Sequence, residues 1–169
     1  VQANASAEEV ARARSNPEVT YPWINGPRGA IVLNTSFGTW GGENASHGWS
    51  GEISSDGTAP RATSNRIGDT VQFKIPRGTG FMRLNGTCDA NHGMFEIAFD
   101  PAPPFTIATK EHWSFTTWEI PDVVLYATAL DPSKEYNVTI TNIQNNNEAS
   151  EVNGRFDLRS LTLWRVTPK

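Results

Sequence analysis

Two groups of tryptophan set among hydrogen-bonding side chains are the part of this sequence best equipped for chemistry. One is Trp40-Gly41-Gly42-Glu43-Asn44 with Trp49, and the other is His112-Trp113 with Trp118-Glu119. An indole ring offers a flat apolar face to the C–H face of a sugar, while neighbouring carboxylate, amide or imidazole groups take the hydroxyls. Trp40, Glu43, Asn44, Trp49, His112, Trp113, Trp118 and Glu119 are therefore the predicted glycan contacts. The competing role for each indole is a loop anchor packed over the end of the fold. Trp164, beside Leu161 and Leu163, reads as a packing residue instead.

Bond-breaking chemistry finds less support. Glu96 and Asp100 are evenly spaced and share a strand face with Met94 and Ala98, opposite Phe95, Ile97 and Phe99, which reads as a solvated outer face. His47, His92 and His112 lack metal-ligand spacing, and a single cysteine, Cys88, completes no zinc or copper set. The sequence carries neither a Gly-x-Ser-x-Gly elbow nor a phosphate-cradling glycine loop. The expectation is a non-enzyme without a cofactor, although Asp, Asn and carbonyl oxygens from separate loops could hold Ca2+.

The elements that must carry these residues are strands. Thr70–Ile75 alternates with Val71, Phe73 and Ile75 on one face, bounded by Pro76-Arg77-Gly78. Segments 30–33, 81–84, 94–99, 123–129, 136–140 and 158–166 have strand length and β-branched or aromatic enrichment. The polar run Asn85 to Gly93 predicts a long-looped hairpin joining 81–84 to 94–99, and 40–65 and 142–153 read as loops. No helical pattern separates the strands, so the predicted fold is all-β, an antiparallel β-sandwich or jelly roll. Ser6 and Glu9 form a capping box for a short helix ending at Asn16-Pro17. Residues 1–18 are thus an N-terminal segment and 19–169 the sandwich domain.

Hydrophobic residues at 37% suffice for one core, and a net charge of -4 supplies no broad cationic surface, which disfavours nucleic acid as a partner. The apolar runs are too short for membrane insertion. Asn-x-Ser/Thr acceptors at Asn4, Asn34, Asn44, Asn85 and Asn137 suggest a secreted glycoprotein. Cys88 is then either a buried thiol or a bridge to another chain.

The segments Gly80-Phe81-Met82-Arg83-Leu84-Asn85-Gly86, His92-Gly93-Met94-Phe95-Glu96-Ile97 with Asp100, and Leu130-Asp131-Pro132-Ser133-Lys134-Glu135-Tyr136-Asn137-Val138-Thr139-Ile140-Thr141-Asn142 carry a resemblance. The chain resembles, from about Ile67 to Val166, the galactose-binding-like extracellular β-sandwich domains of secreted and single-pass fungal proteins. That resemblance implies a jelly-roll fold and a recognition or accessory role, with Gly86, Gly93 and Pro132 serving turns. The predicted partner is carbohydrate, or alternatively a larger secreted protein on which this chain docks as an accessory subunit. In size it is similar to the small subunits of two-chain fungal laccases. A jelly-roll glycoside hydrolase or lyase is the third reading.

Overall fold

The computed structural model describes residues 19–22, 38–41, 48–53, 60–144 and 154–166. Eleven strands lie among the described residues: β1 (Val19–Pro22), β2 (Gly38–Gly41), β3 (Trp49–Ile53), β4 (Pro60–Ser64), β5 (Thr70–Ile75), β6 (Thr79–Cys88), β7 (Met94–Asp100), β8 (Thr109–Trp113), β9 (Ile120–Ala129), β10 (Tyr136–Gln144) and β11 (Phe156–Arg165). They form two sheets, β3-β4-β11-β6-β9 with β1 also on β11, and β2-β5-β10-β7-β8. Every pair of neighbouring strands is antiparallel. From β4 onward the pairing is nested: β4 with β11, β5 with β10, β6 with β9 and β7 with β8. Successive pairs fall in alternate sheets, which is the ribbon winding of a jelly roll.

The alternation visible in the sequence is what closes the two sheets on one another. Val71, Phe73 and Ile75 of β5, Phe95, Ile97 and Phe99 of β7, and Val138 and Ile140 of β10 meet Met82, Leu84, Leu158, Leu161 and Leu163 from the other sheet in one buried cluster. Glu96 and Asp100 lie on the opposite, outer side of β7, as their spacing requires. Trp164 is buried in a second, smaller cluster, edge-on to Phe81 at 5.5 Å and with the Arg83 guanidinium 5.1 Å from its ring. The turn after β5 needs Gly78, whose φ of 85° suits glycine, and Thr79 Oγ1 donates to the Pro76 carbonyl across it at 2.8 Å.

Two expectations are corrected and one strand is added. Residues 81–84 and 94–99 are not a hairpin: β6 and β7 belong to different sheets, so 89–93 crosses the sandwich edge. The stretch 40–65 is not one loop, because β3 and β4 occupy much of it. Arg61, Ala62, Thr63 and Ser64 are all buried, so a strand enclosed on both faces by polar pairing shows no apolar alternation. Strand β8 escaped notice for the opposite reason: as an edge it leaves Thr109, Lys110, Glu111 and Trp113 exposed. The helix over 6–14 and the strand at 30–33 lie outside the described residues, as do 145–153 of the expected second loop.

Gly86 sits where β6 is squeezed between β11 and β9, and a Cβ there would overlap the Asp157 carbonyl oxygen and the Leu125 side chain. Gly86→Ala is expected to lower unfolding stability by about 1–3 kcal/mol in denaturant titration, the usual cost of overpacking.

Candidate functional site

The residues singled out by sequence are sorted by strand geometry. Adjacent residues of a strand point to opposite faces, so His112 and Trp113 cannot act together. His112 is in register with Phe95, stacks on its ring at 5.5 Å and meets Tyr126 edge-on at 5.1 Å. Burial, with Lys110 nearby, pushes its pKa below the ordinary imidazole value. Its ring is thus engaged in packing between Phe95 and Tyr126. Trp49, predicted as a glycan contact, is only 7% exposed, sits edge-on to Phe156 at 6.4 Å, and its Nε1 donates to the Thr70 carbonyl at 3.0 Å. Strand β2 includes Trp40 and pairs it with Val71; Glu43 and Asn44 lie outside the described residues, as do the acceptors Asn4 and Asn34.

Trp113 and Trp118 remain displayed, 55% and 70% exposed. Phe115, unremarked in the sequence, is exposed with them, while Ser114 between Trp113 and Phe115 is buried. Glu111, Trp113 and Phe115 thus form an outward stripe along β8 and its extension. The spacing of two residues between Trp113 and Phe115 was a signal that could have grouped Phe115 with Trp113 on one strand face.

This segment is held against the body of the sandwich. Ser114 N donates to the Gly93 carbonyl at 2.9 Å and its Oγ to the same oxygen at 2.9 Å. Thr116 N donates to the Asp89 carbonyl at 3.2 Å, Asp89 N to the Ser114 carbonyl at 3.3 Å, and Thr116 Oγ1 to the Trp118 carbonyl at 2.6 Å. The 89–93 segment in turn lies on the start of β11, with His92 bridged to Arg155 and Gly93 N donating to the Arg155 carbonyl.

Beneath it is a buried ionic cluster. Asp157, fully buried, has Arg61 Nη1 at 3.1 Å, His92 Nε2 at 3.0 Å and Arg155 Nε at 3.3 Å. Arg61 also pairs with Glu119 Oε1 at 3.3 Å, so the residue beside Trp118 is tied to the centre of the cluster. Thr87 Oγ1 completes it, 3.4 Å from Arg61 Nη1 and 3.3 Å from Arg159 Nε, while donating to the Pro121 carbonyl at 3.0 Å. Burial alone pushes the Asp157 carboxyl up, but His92, Arg155 and Arg61 more than offset it, and its pKa falls below the ordinary value. None of these residues except Glu119 was anticipated, because partners in the cluster are far apart in the sequence, Thr87 and Arg159 by 72 positions.

Among the described residues no three His, Cys, Asp or Glu side chains converge as a metal site. Cys88 is half-buried, and burial raises its thiol pKa. Of the two described glycosylation acceptors, Asn137 is exposed on the outer face of β10, whereas Asn85 is half-buried and donates to Asp122 Oδ1 at 2.9 Å.

No protein-family model and no curated protein sequence matches the chain. Among solved structures it is similar to a family two carbohydrate esterase from Cellvibrio japonicus, with 16% identity, a TM-score of 0.48, and 87% of this chain covering 34% of that one. It is also similar to the GH26-CBM35 β-(1,4)-mannanase of Podospora anserina, at 16% identity and a TM-score of 0.43 over 91% of this chain and 29% of that one. A third is the CBM36-1 domain of a multidomain xylanase from the hindgut metagenome of Trinervitermes trinervoides, at 9% identity and a TM-score of 0.43 over 75% of this chain and 95% of that domain. The chain therefore spans about a third of the first two proteins.

Asp157→Asn is expected to cost about 3–5 kcal/mol in denaturant titration, since it removes the buried counter-charge of the buried Arg61 guanidinium. The acid limb of the stability profile follows from the same groups. A folded pKa below the unfolded one means that the unfolded chain binds more protons, so stability falls as pH falls. The decline should begin in the ordinary imidazole range through His112 and continue below the ordinary aspartate range through Asp157, with His112→Phe removing the first step.

Proposed function

We propose that this is a secreted, non-catalytic recognition domain that binds carbohydrate through Trp113 and Trp118. The observation that carries this reading is the display of two indoles, more than half exposed, on a segment hydrogen-bonded to the 89–93 connection and tied through Glu119 to Arg61 of the buried ionic cluster. Exposing large apolar rings to water is unfavourable in isolation, and ordering them in advance lowers the entropy cost of capturing a ligand. Indole faces suit the apolar side of a pyranose, and Phe115 widens the surface. Glu119 sits at the end of the same segment, with its carboxylate oriented by Arg61.

A second reading, an accessory subunit docked on a larger secreted protein, is favoured by a different observation. Phe105 and Ile107, in the β7–β8 connection, are 68% and 64% exposed. They lie at the opposite end of β8 from Trp113, which keeps the two surfaces distinct.

Trp113→Ala and Trp118→Ala are each expected to weaken glycan binding by about tenfold or more, consistent with loss of one aromatic contact. Their melting temperatures should stay near that of the parent. Intrinsic fluorescence and affinity electrophoresis across neutral, acidic and amino-sugar oligomers read the effect, and silence across that panel in the parent protein refutes the proposal. Expression in a glycosylating host tests the secreted assignment separately: peptide mass spectrometry should find Asn137 occupied and Asn85 largely unmodified.

A further inference from the structure

Glu96 of β7 and Glu111 of β8 are directly opposite one another. Both belong to the outer face of the five-stranded sheet, where facing residues of an antiparallel pair have Cβ atoms about 4.5–5.5 Å apart. Like charges in that position repel, and sheets ordinarily place an opposite charge or a neutral residue there. Neither carboxylate has an ion-pair partner among the described residues. The nearest lysine in sequence, Lys110, is in register with Ile97 and projects from the other side of β8. Lys74 is paired with Glu135 at 3.6 Å, two strands away.

Trp113 stands two residues beyond Glu111 on the same face, about 7 Å along the strand, opposite Met94. A pyranose stacked on that indole would therefore bring its substituents within reach of both carboxylates. A cation there relieves the repulsion between the glutamates and also gains from the face of the indole. We infer that the carbohydrate taken at Trp113 is an amino sugar with a free, protonated amine, a glucosamine oligomer, selected over N-acetylated, neutral and acidic sugars by Glu96 and Glu111. This specificity rests on the recognition reading above and names the substrate class of the same surface. A basic peptide shares the charge but not the flat apolar ring face that matches the exposed indole, so the sugar is the better fit.

Calorimetry in mildly acidic buffer of low ionic strength tests the inference, using glucosamine hexamer, N-acetylglucosamine hexamer, cellohexaose, an oligogalacturonate and hexalysine as probes. Glucosamine hexamer should bind about tenfold or more tighter than its N-acetylated counterpart, with the advantage shrinking as salt rises. The Glu96→Gln/Glu111→Gln double variant should erase that preference while retaining weak sugar binding, and Trp113→Ala should weaken binding of both hexamers by about tenfold or more. Thermal melts confirm that each variant is folded. Equal affinity for neutral hexamers, or a preference that survives the double variant, overturns the inference and leaves carbohydrate recognition standing. Hexalysine matching the glucosamine hexamer assigns the surface to basic peptides and overturns it too. Binding of no probe removes the recognition reading along with it.

Discussion

The aromatic surface depends on one buried carboxylate. Asp157 is completely removed from water, which is costly for a charge unless cations and hydrogen-bond donors surround it. Here Arg61 comes from β4, His92 from the sheet-crossing connection, and Arg155 from the residue before β11. Three separate parts of the chain are thereby required to meet at one point. A carboxylate inside a jelly roll does little for net stability by itself, but it penalises any arrangement in which its partners are absent. The geometry around it is consequently narrow.

That constraint passes outward to the surface by short steps. His92 and Gly93 lie against Arg155, the 114–116 segment hydrogen-bonds to Gly93 and Asp89, and Arg61 reaches Glu119 at the far end of the segment. Trp113, Phe115 and Trp118 are displayed between these fixed points. Recognition surfaces built on an ordered frame lose less entropy on binding than those that must be ordered by the ligand, and the proposed role of the two indoles uses that advantage. The same edge is protected from strand addition by exposed Lys110 and by Glu111, which would face its own copy in a symmetric pairing.

Strands with a clean polarity pattern were legible from residue types alone. Thr70–Ile75 and the 94–99 core of β7 each put three apolar side chains on one face, and the structure places them there. The same reasoning read the outer position of Glu96 and Asp100. It failed where polarity does not report burial. Strand β4 is buried on both faces through Arg61, Thr63 and Ser64, and Trp49 looked like a loop residue amid Gly and Ser although its ring is in the core. His112 and Trp113 illustrate the complementary error: neighbours in sequence were grouped as one cluster, whereas the pleat sends them to opposite sides of β8.

What the residues determined by themselves was local: all-β character, the inner and outer sides of the regular strands, and the supply of tryptophan, glutamate and glycosylation acceptors. Alternation is written into every two successive residues because the pleat has a period of two. Which side chains share a surface was decided only by tertiary structure. Glu96 faces Glu111 because β7 pairs with β8, and Arg61 joins Asp157 and Glu119 because β4 is wound next to β11. Such neighbours depend on strand order and register, which are cooperative properties of the whole sandwich and have no counterpart in any short stretch of chain.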